Sequence, residues 1–360
     1  MFLSRIFTSS LYATLLTLLI LVAGVIAGLY PEEVKSSFPF RLASPTPGAS
    51  IFWCTSLAAA LLFFFRENAV DRKRSEAANQ LESIIRTMPP DNFLELFRVV
   101  YNDCLRVSTD PSSNAAKRIR IVLQGVITLV RRFERSPHRV RYAANVMPFV
   151  KPTELDSPAM ARLRNILWFH EPGADLAKLA GVLVTQRELS TALEIAPDDT
   201  DSRLATFALP VVTGPLRTAQ GLWRALPGAP LAFMRHAAGE AGVDGYQDTL
   251  TLAQQTKFDL RPATLTEIGQ YFASDAGRDV QSFLSFALSQ PAEQAVGVLN
   301  IHQNVTGLLS GQRGTQFYEL MGPFIAIFVT LLGQWKTELG DRNLVIPPLK
   351  RSDRVDALLA

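Results

Sequence analysis

Trp223, Phe233, His236, Tyr246, Asp248, Phe272 and Asp275 fall between Pro215 and Gly277, with Arg278, Ser282 and Ser285 just beyond. Aromatic walls around a few convergent polar groups are what a small-ligand pocket requires. The same residues would be equally ordinary in a packed apolar lid, and both readings stay open.

Other chemistries find less support. Asp198-Asp199-Thr200-Asp201 could hold a cation, but it lacks the glycine turn and terminal glutamate of a calcium loop, which favours a solvated turn. His138, His170, His236 and His302 show no paired spacing for a metal or haem. Patterns for a serine nucleophile, a zinc protease helix, a P-loop or a dinucleotide turn are missing, so a non-enzymatic role is expected. Cofactor identity is left unknown. The two cysteines, Cys54 and Cys104, make neither a disulfide framework nor a thiolate zinc set, which suits a reducing compartment.

Lys117, Arg118, Arg120, Arg131, Arg132, Arg135, Arg139 and Arg141 form a basic cluster interrupted only by Glu134. It reads as a solvated helix face or as a contact for anionic lipid head groups. Nucleic acid is an unfavoured partner, because the net charge is only +3 and aromatic residues are not interleaved with these cations in the way single-strand binders have them.

The elements that must position these residues begin in a membrane. Leu11 to Tyr30 is almost wholly apolar, and a second uncharged run lies between Arg41 and Arg66. About twenty helical residues cross a hydrocarbon layer of roughly 30 Å. Two spans are expected, at about 9–30 and 49–65, making residues 1–66 a transmembrane hairpin. Arg66, Arg72, Lys73 and Arg74 crowd the exit of the second span. The positive-inside rule then puts both termini in the cytoplasm and 31–48 outside, as in a multi-pass protein of the cell's inner membrane.

Residues 67–89 read as a charged linker helix whose Leu81, Ile84, Ile85 and Met88 form one apolar stripe, ending at Pro89-Pro90. Asp91 is a reasonable N-cap for a helix carrying Leu94, Phe97, Tyr101 and Cys104. A further helix is expected over 114–133. Strand candidates follow at 139–146, 162–169, 181–184, 189–195 and 204–212, separated by Pro-, Asp- and Gly-rich turns. Asp279–Leu288 alternates apolar and polar residues, and Ala295–Ile301 follows after a polar turn, which reads as an antiparallel hairpin. Phe317, Leu320, Met321, Phe324, Ile325, Phe328, Leu331 and Leu332 then recur at helical spacing on one long closing helix. The fold class is α+β: a mostly antiparallel sheet with helices on one face. The domain is expected over 90–340, and 341–360 is a tail.

The stretch SFLSFALSQPAEQAVGVLNIHQNVTGLL followed by FYELMGPFIAIFVTLLGQWKTEL resembles the end of a GAF domain, in which a strand of this kind precedes a GVLNI strand and a C-terminal helix. The resemblance covers roughly sixty residues. It implies a domain that binds a small ligand or mediates dimerisation, and that the 215–277 segment crosses over the sheet to roof the cavity. It implies no bilin, since Cys104 is misplaced. Thr256-Lys257-Phe258-Asp259 does not meet the family's spacing for cyclic nucleotides.

Three roles follow as expectations. The chain is a membrane-anchored regulatory module that signals through the linker helix or a separate output protein; or a membrane-perturbing effector of defence or toxin type; or a ligand-free dimerisation scaffold. A homodimer is the expected assembly.

Overall fold

The computed structural model describes residues 10–37, 46–87, 90–136, 139–169, 175–200, 206–254, 257–274, 277–289, 294–310 and 312–347. Contacts divide the chain into two units, Met1–Met88 and Pro89–Ala360.

The first unit is a helical hairpin. Helix α1 (Ser10–Leu29) leads through the short α2 (Pro31–Ser36) to α3 (Pro47–Thr87). The two long helices run antiparallel: the Tyr12 hydroxyl donates to the Leu62 carbonyl at 2.8 Å, and at the turn Gly48 N donates to Glu33 Oε2 at 3.1 Å. Along these helices, Leu18, Ile20, Leu21, Leu57, Phe63 and Phe64 stay exposed. Exposed apolar surface of this extent marks a contact with a membrane or another protein. One helix here, Pro47–Asp71, is long and apolar enough to cross a membrane. The apolar part of α1, Thr14–Leu29, is shorter, so the two expected spans reduce to one that meets the length requirement among the described residues. The expected linker is helical, but as an unbroken continuation of α3 to Thr87 rather than a separate element. The side chains of Leu81, Ile84, Ile85 and Met88 lie outside the described ones.

The second unit is built on an antiparallel sheet. Its strands are β1 (Tyr142–Val150), β2 (Leu179–Val184), β3 (Ser190–Ala192), β4 (Ala208–Val212), β5 (Val243–Tyr246), β6 (Ser282–Leu288) and β7 (Gly297–Gln303). Their order across the sheet is β4-β2-β1-β7-β6-β5, with β3 pairing the first half of β1. The expected hairpin is present as β6 and β7, in register from Ser282 opposite Gln303 to Leu288 opposite Gly297.

Side-chain alternation gives this sheet two buried faces. Tyr142, Ala144, Val146, Phe286, Leu299 and Ile301 pack under a helical layer of α4 (Phe93–Ser108), α5 (Ala115–Glu134), α9 (Gln312–Leu320) and α10 (Gly322–Leu339). Met147, Phe149, Ala287 and Val298 point the other way. They meet Leu226, Leu231 and Phe233 of α7 (Ala229–Ala237) and its approach, and Ile268 of α8 (Pro262–Ala273). The fold class is α+β, with helices on both faces rather than one.

Several local expectations are corrected. Residues 162–169 are not a strand: α6 spans Ser157–Ile166, capped where Asp156 accepts from Ala159 N at 2.7 Å, with Ala159, Leu163 and Ile166 buried at helical spacing. The closing helix is broken by a 57° bend between α9 and α10. Pro323 explains it, having no N–H to give and a ring that collides with the preceding turn. Helix α4 starts at Phe93, after Asn92 in the left-handed region, rather than on Asp91. Strand β3 is three residues, not the seven of 189–195.

Candidate functional site

Strand alternation sends Asn145 of β1, Asn300 of β7 and Ser285 of β6 to the face away from the helical layer. The register puts all three in one row, Asn145 opposite Asn300 and Asn300 opposite Ser285. Ser285 Oγ donates to Asn300 Oδ1 at 2.7 Å, and Asn300 Nδ2 donates to Asn145 Oδ1 at 3.0 Å. Asn145 and Ser285 are buried and Asn300 half-buried; such polar side chains would be costly singly, and together they satisfy one another.

The row lies on the floor of a cavity of about 380 Å³. That volume falls within the range of small-molecule sites. Its walls are aromatic. Trp168 stacks on Phe207 with centroids 4.4 Å apart and planes 12° from parallel, and Tyr271 meets Trp168 edge-on at 4.8 Å. Phe272 and Phe283 stack at 6.1 Å. Burial pushes the Tyr271 phenol up to about 12, so the ring stays neutral at any working pH. The Trp168 indole N–H is buried without a hydrogen-bond partner. Such a donor costs on the order of 1–3 kcal/mol until something accepts from it.

Apart from the half-buried His302 of β7, charge is confined to the mouth. Arg141, Glu194 and Arg278 are exposed there, with Asp279 half-buried, and Arg141 Nη2 pairs with Asp279 Oδ1 at 2.8 Å. One edge of the cover is tied to the sheet by Asp244 of β5, which accepts from Gly228 N at 2.7 Å at the start of α7. Gly228 sits at φ 82° and lines the cavity, and an added Cβ would lie 2.6 Å from the Phe283 ring. Burial raises the Asp244 carboxyl to about 6, offset in part by the Gly228 N–H and by Lys257 and Arg235.

Of the residues expected from sequence, Phe272, Arg278 and Ser285 line this cavity. Phe233 is buried under α7, stacked on Phe149 at 4.4 Å. Tyr246 is buried against Phe283 and Phe258. Trp223 carries the Arg217 guanidinium 3.5 Å above its ring and is part of the cover's own packing. His236 Nδ1 lies 3.5 Å from Ser289 Oγ, on the far end of α7. Ser282 faces the helical layer, donating to the Val305 carbonyl at 2.6 Å. The Asp248 backbone carbonyl accepts from Thr251 in a surface turn, and Asp275 lies outside the described residues. Asn145, Asn300 and Trp168 were missed. Sequence spacing gives no sign that residues 155 positions apart are neighbours, although the Asn-Ile alternation after Val298 put Asn300 on the face opposite Leu299.

The basic cluster does not form one face. Arg118 and Arg120 turn inward: Arg118 donates to the Ser108 carbonyl at 2.9 Å and reaches Glu338 at 3.3 Å, while Arg120 donates to the carbonyls of Pro197 and Glu188. Lys117 pairs with Asp198, and Arg132 donates to the Asp91 carbonyl at 3.2 Å. Arg135 is exposed at the C-cap of α5, one turn past Arg131. Arg118 and Arg120 therefore cannot serve as the lipid contact expected of them.

No protein-family model matches this chain, and no curated protein matches it either. Among the described residues, no three His, Cys, Asp or Glu side chains gather as a metal would need.

Proposed function

We propose that this protein is a membrane-linked regulatory module whose α+β domain binds a small organic molecule in the cavity over Asn145, Asn300 and Ser285. The observation that carries this reading is the combination of aromatic walls with a hydrogen-bonded polar row on the floor, at a volume suited to one small ligand. A closed structural scaffold would gain more from filling that space with aliphatic side chains than from leaving it lined by carboxamides. The likeness of Asp279–Leu339 to the end of a GAF domain supports the same role. In this reading the apolar hairpin lies in the inner membrane with both termini cytoplasmic. Ligand binding shifts a population of states that a homodimer or a separate output protein reads.

Thermal unfolding of the full chain in detergent tests this, run with and without a heat-stable small-molecule extract of the expressing cells. A ligand that binds only the native state raises the melting temperature. A rise in the wild type that is lost in Ala143→Trp, which fills the cavity, is expected; no rise in the wild type would contradict the proposal.

A further inference from the structure

We infer that the cavity takes an uncharged, flat heterocycle whose lactam or imide edge is read by the carboxamide row; this rests on the small-molecule reading above and deepens it. The row has a direction. Ser285 gives its proton to Asn300, and Asn300 gives one of its two to Asn145. Asn145 Nδ2 makes no hydrogen bond among the described residues, so both of its protons are free. Its Oδ1, already accepting from Asn300, keeps a second lone pair. An amide that can still donate and still accept matches a lactam, whose C=O and N–H sit side by side, in a two-point contact. At the far end of the row, roughly 10 Å away by two strand spacings, the Ser285 oxygen is left as an acceptor.

Charge selects against ions. The charged lining residues are two cations and two anions, Arg141, Arg278, Glu194 and Asp279, and they stand at the mouth. Tyr271 stays protonated, so apart from the half-buried His302 of β7 no group on the described floor or walls would balance a net charge carried inside. Burying an unpaired ion there would cost far more than a pair of hydrogen bonds returns. Shape comes from the walls: Trp168, Phe207, Phe272 and Phe283 offer ring surface, set among the aliphatic Leu209, Leu226 and Ile268. Planar rings gain most against such a lining.

Equilibrium dialysis of the full chain in detergent against three probes tests the inference. Lumichrome is an uncharged tricycle with an imide edge. Phenazine is an uncharged tricycle without one. Flavin mononucleotide has the same imide edge but carries a phosphate. Lumichrome should bind at least about tenfold more tightly than either, and Asn145→Leu should weaken lumichrome about tenfold while leaving phenazine unchanged. Ala143→Trp should abolish lumichrome binding, which separates the site from partition into the micelle. Should Asn145→Leu fail to fold, the ranking of the three probes on the wild type still decides. Phenazine binding as tightly as lumichrome, flavin mononucleotide binding more tightly, or lumichrome retained in Ala143→Trp would each overturn the inference. Binding of none would overturn it too, while the extract-induced melting shift would still report on the cavity itself.

Discussion

Asn300 and Asn145 lie opposite each other on adjacent strands, and the Nδ2 of Asn300 donates to the Oδ1 of Asn145 at 3.0 Å. With Ser285 they make a polar seam across the three central strands of the sheet. Its energetics are asymmetric, because a half-removed network leaves buried groups unsatisfied, whereas a wholly removed one does not. Asn300→Leu should lower the unfolding free energy by about 2 kcal/mol, by stranding Ser285 Oγ and Asn145 Oδ1. The combined Asn145→Leu, Asn300→Leu and Ser285→Ala variant should be no less stable than Asn300→Leu alone. Urea melts of the wild type, Asn145→Leu, Ser285→Ala, Asn300→Leu and the combined variant would measure this, and simple additivity would show that the row is not a coupled unit.

Much of the architecture is legible in the sequence. The β6–β7 hairpin announced itself through close spacing and β-branched residues, and α5 through the helical spacing of apolar residues over 114–133. What misled was chemistry that depends on the third dimension. Leu163, Ile166 and Trp168 are apolar enough for a strand, yet the cap at Asp156 commits the segment to helix. Aromatic residues between Trp223 and Tyr246 looked like a wall and are mostly the packing behind one. The floor could not be found by spacing along the chain, since Asn145 and Asn300 meet only through strand pairing.

Arg118 and Arg120, in the first two turns of α5, point into protein rather than joining the exposed basic cluster. Arg118→Ala and Arg120→Ala should each lower stability by about 2 kcal/mol, because each strands backbone carbonyls that the guanidinium now satisfies. Arg135 is different. It occupies φ 55° at the C-cap of α5, where glycine is at ease, so Arg135→Gly should be neutral or stabilising by up to about 1 kcal/mol. Differential scanning calorimetry would rank the three, and a destabilised Arg135→Gly would contradict the cap assignment.

Asp244 gives the cover a pH dependence whose sign is fixed. Its carboxyl sits near 6 in the fold against an ordinary 3.8, so the native state holds the proton more tightly than the unfolded chain. Its contribution to stability therefore rises as pH falls from above about 6 toward about 4, and is lost on the way back up. Asp244→Asn keeps an acceptor for Gly228 N without the titration. The stability of wild type relative to Asp244→Asn should increase on going from about pH 7 to about pH 4.5. A flat difference would mean that Asp244 titrates normally. Glu134 also has its carboxyl raised by burial, but it is common to both proteins and cancels.

Native mass spectrometry of the full chain, released from detergent micelles, tests most directly whether the cavity holds a small molecule. The account expects the wild type to carry a fixed additional mass that collisional activation removes as a neutral species, and Ala143→Trp to emerge at its bare chain mass. A wild-type chain at bare mass, or the same adduct on Ala143→Trp, would contradict it.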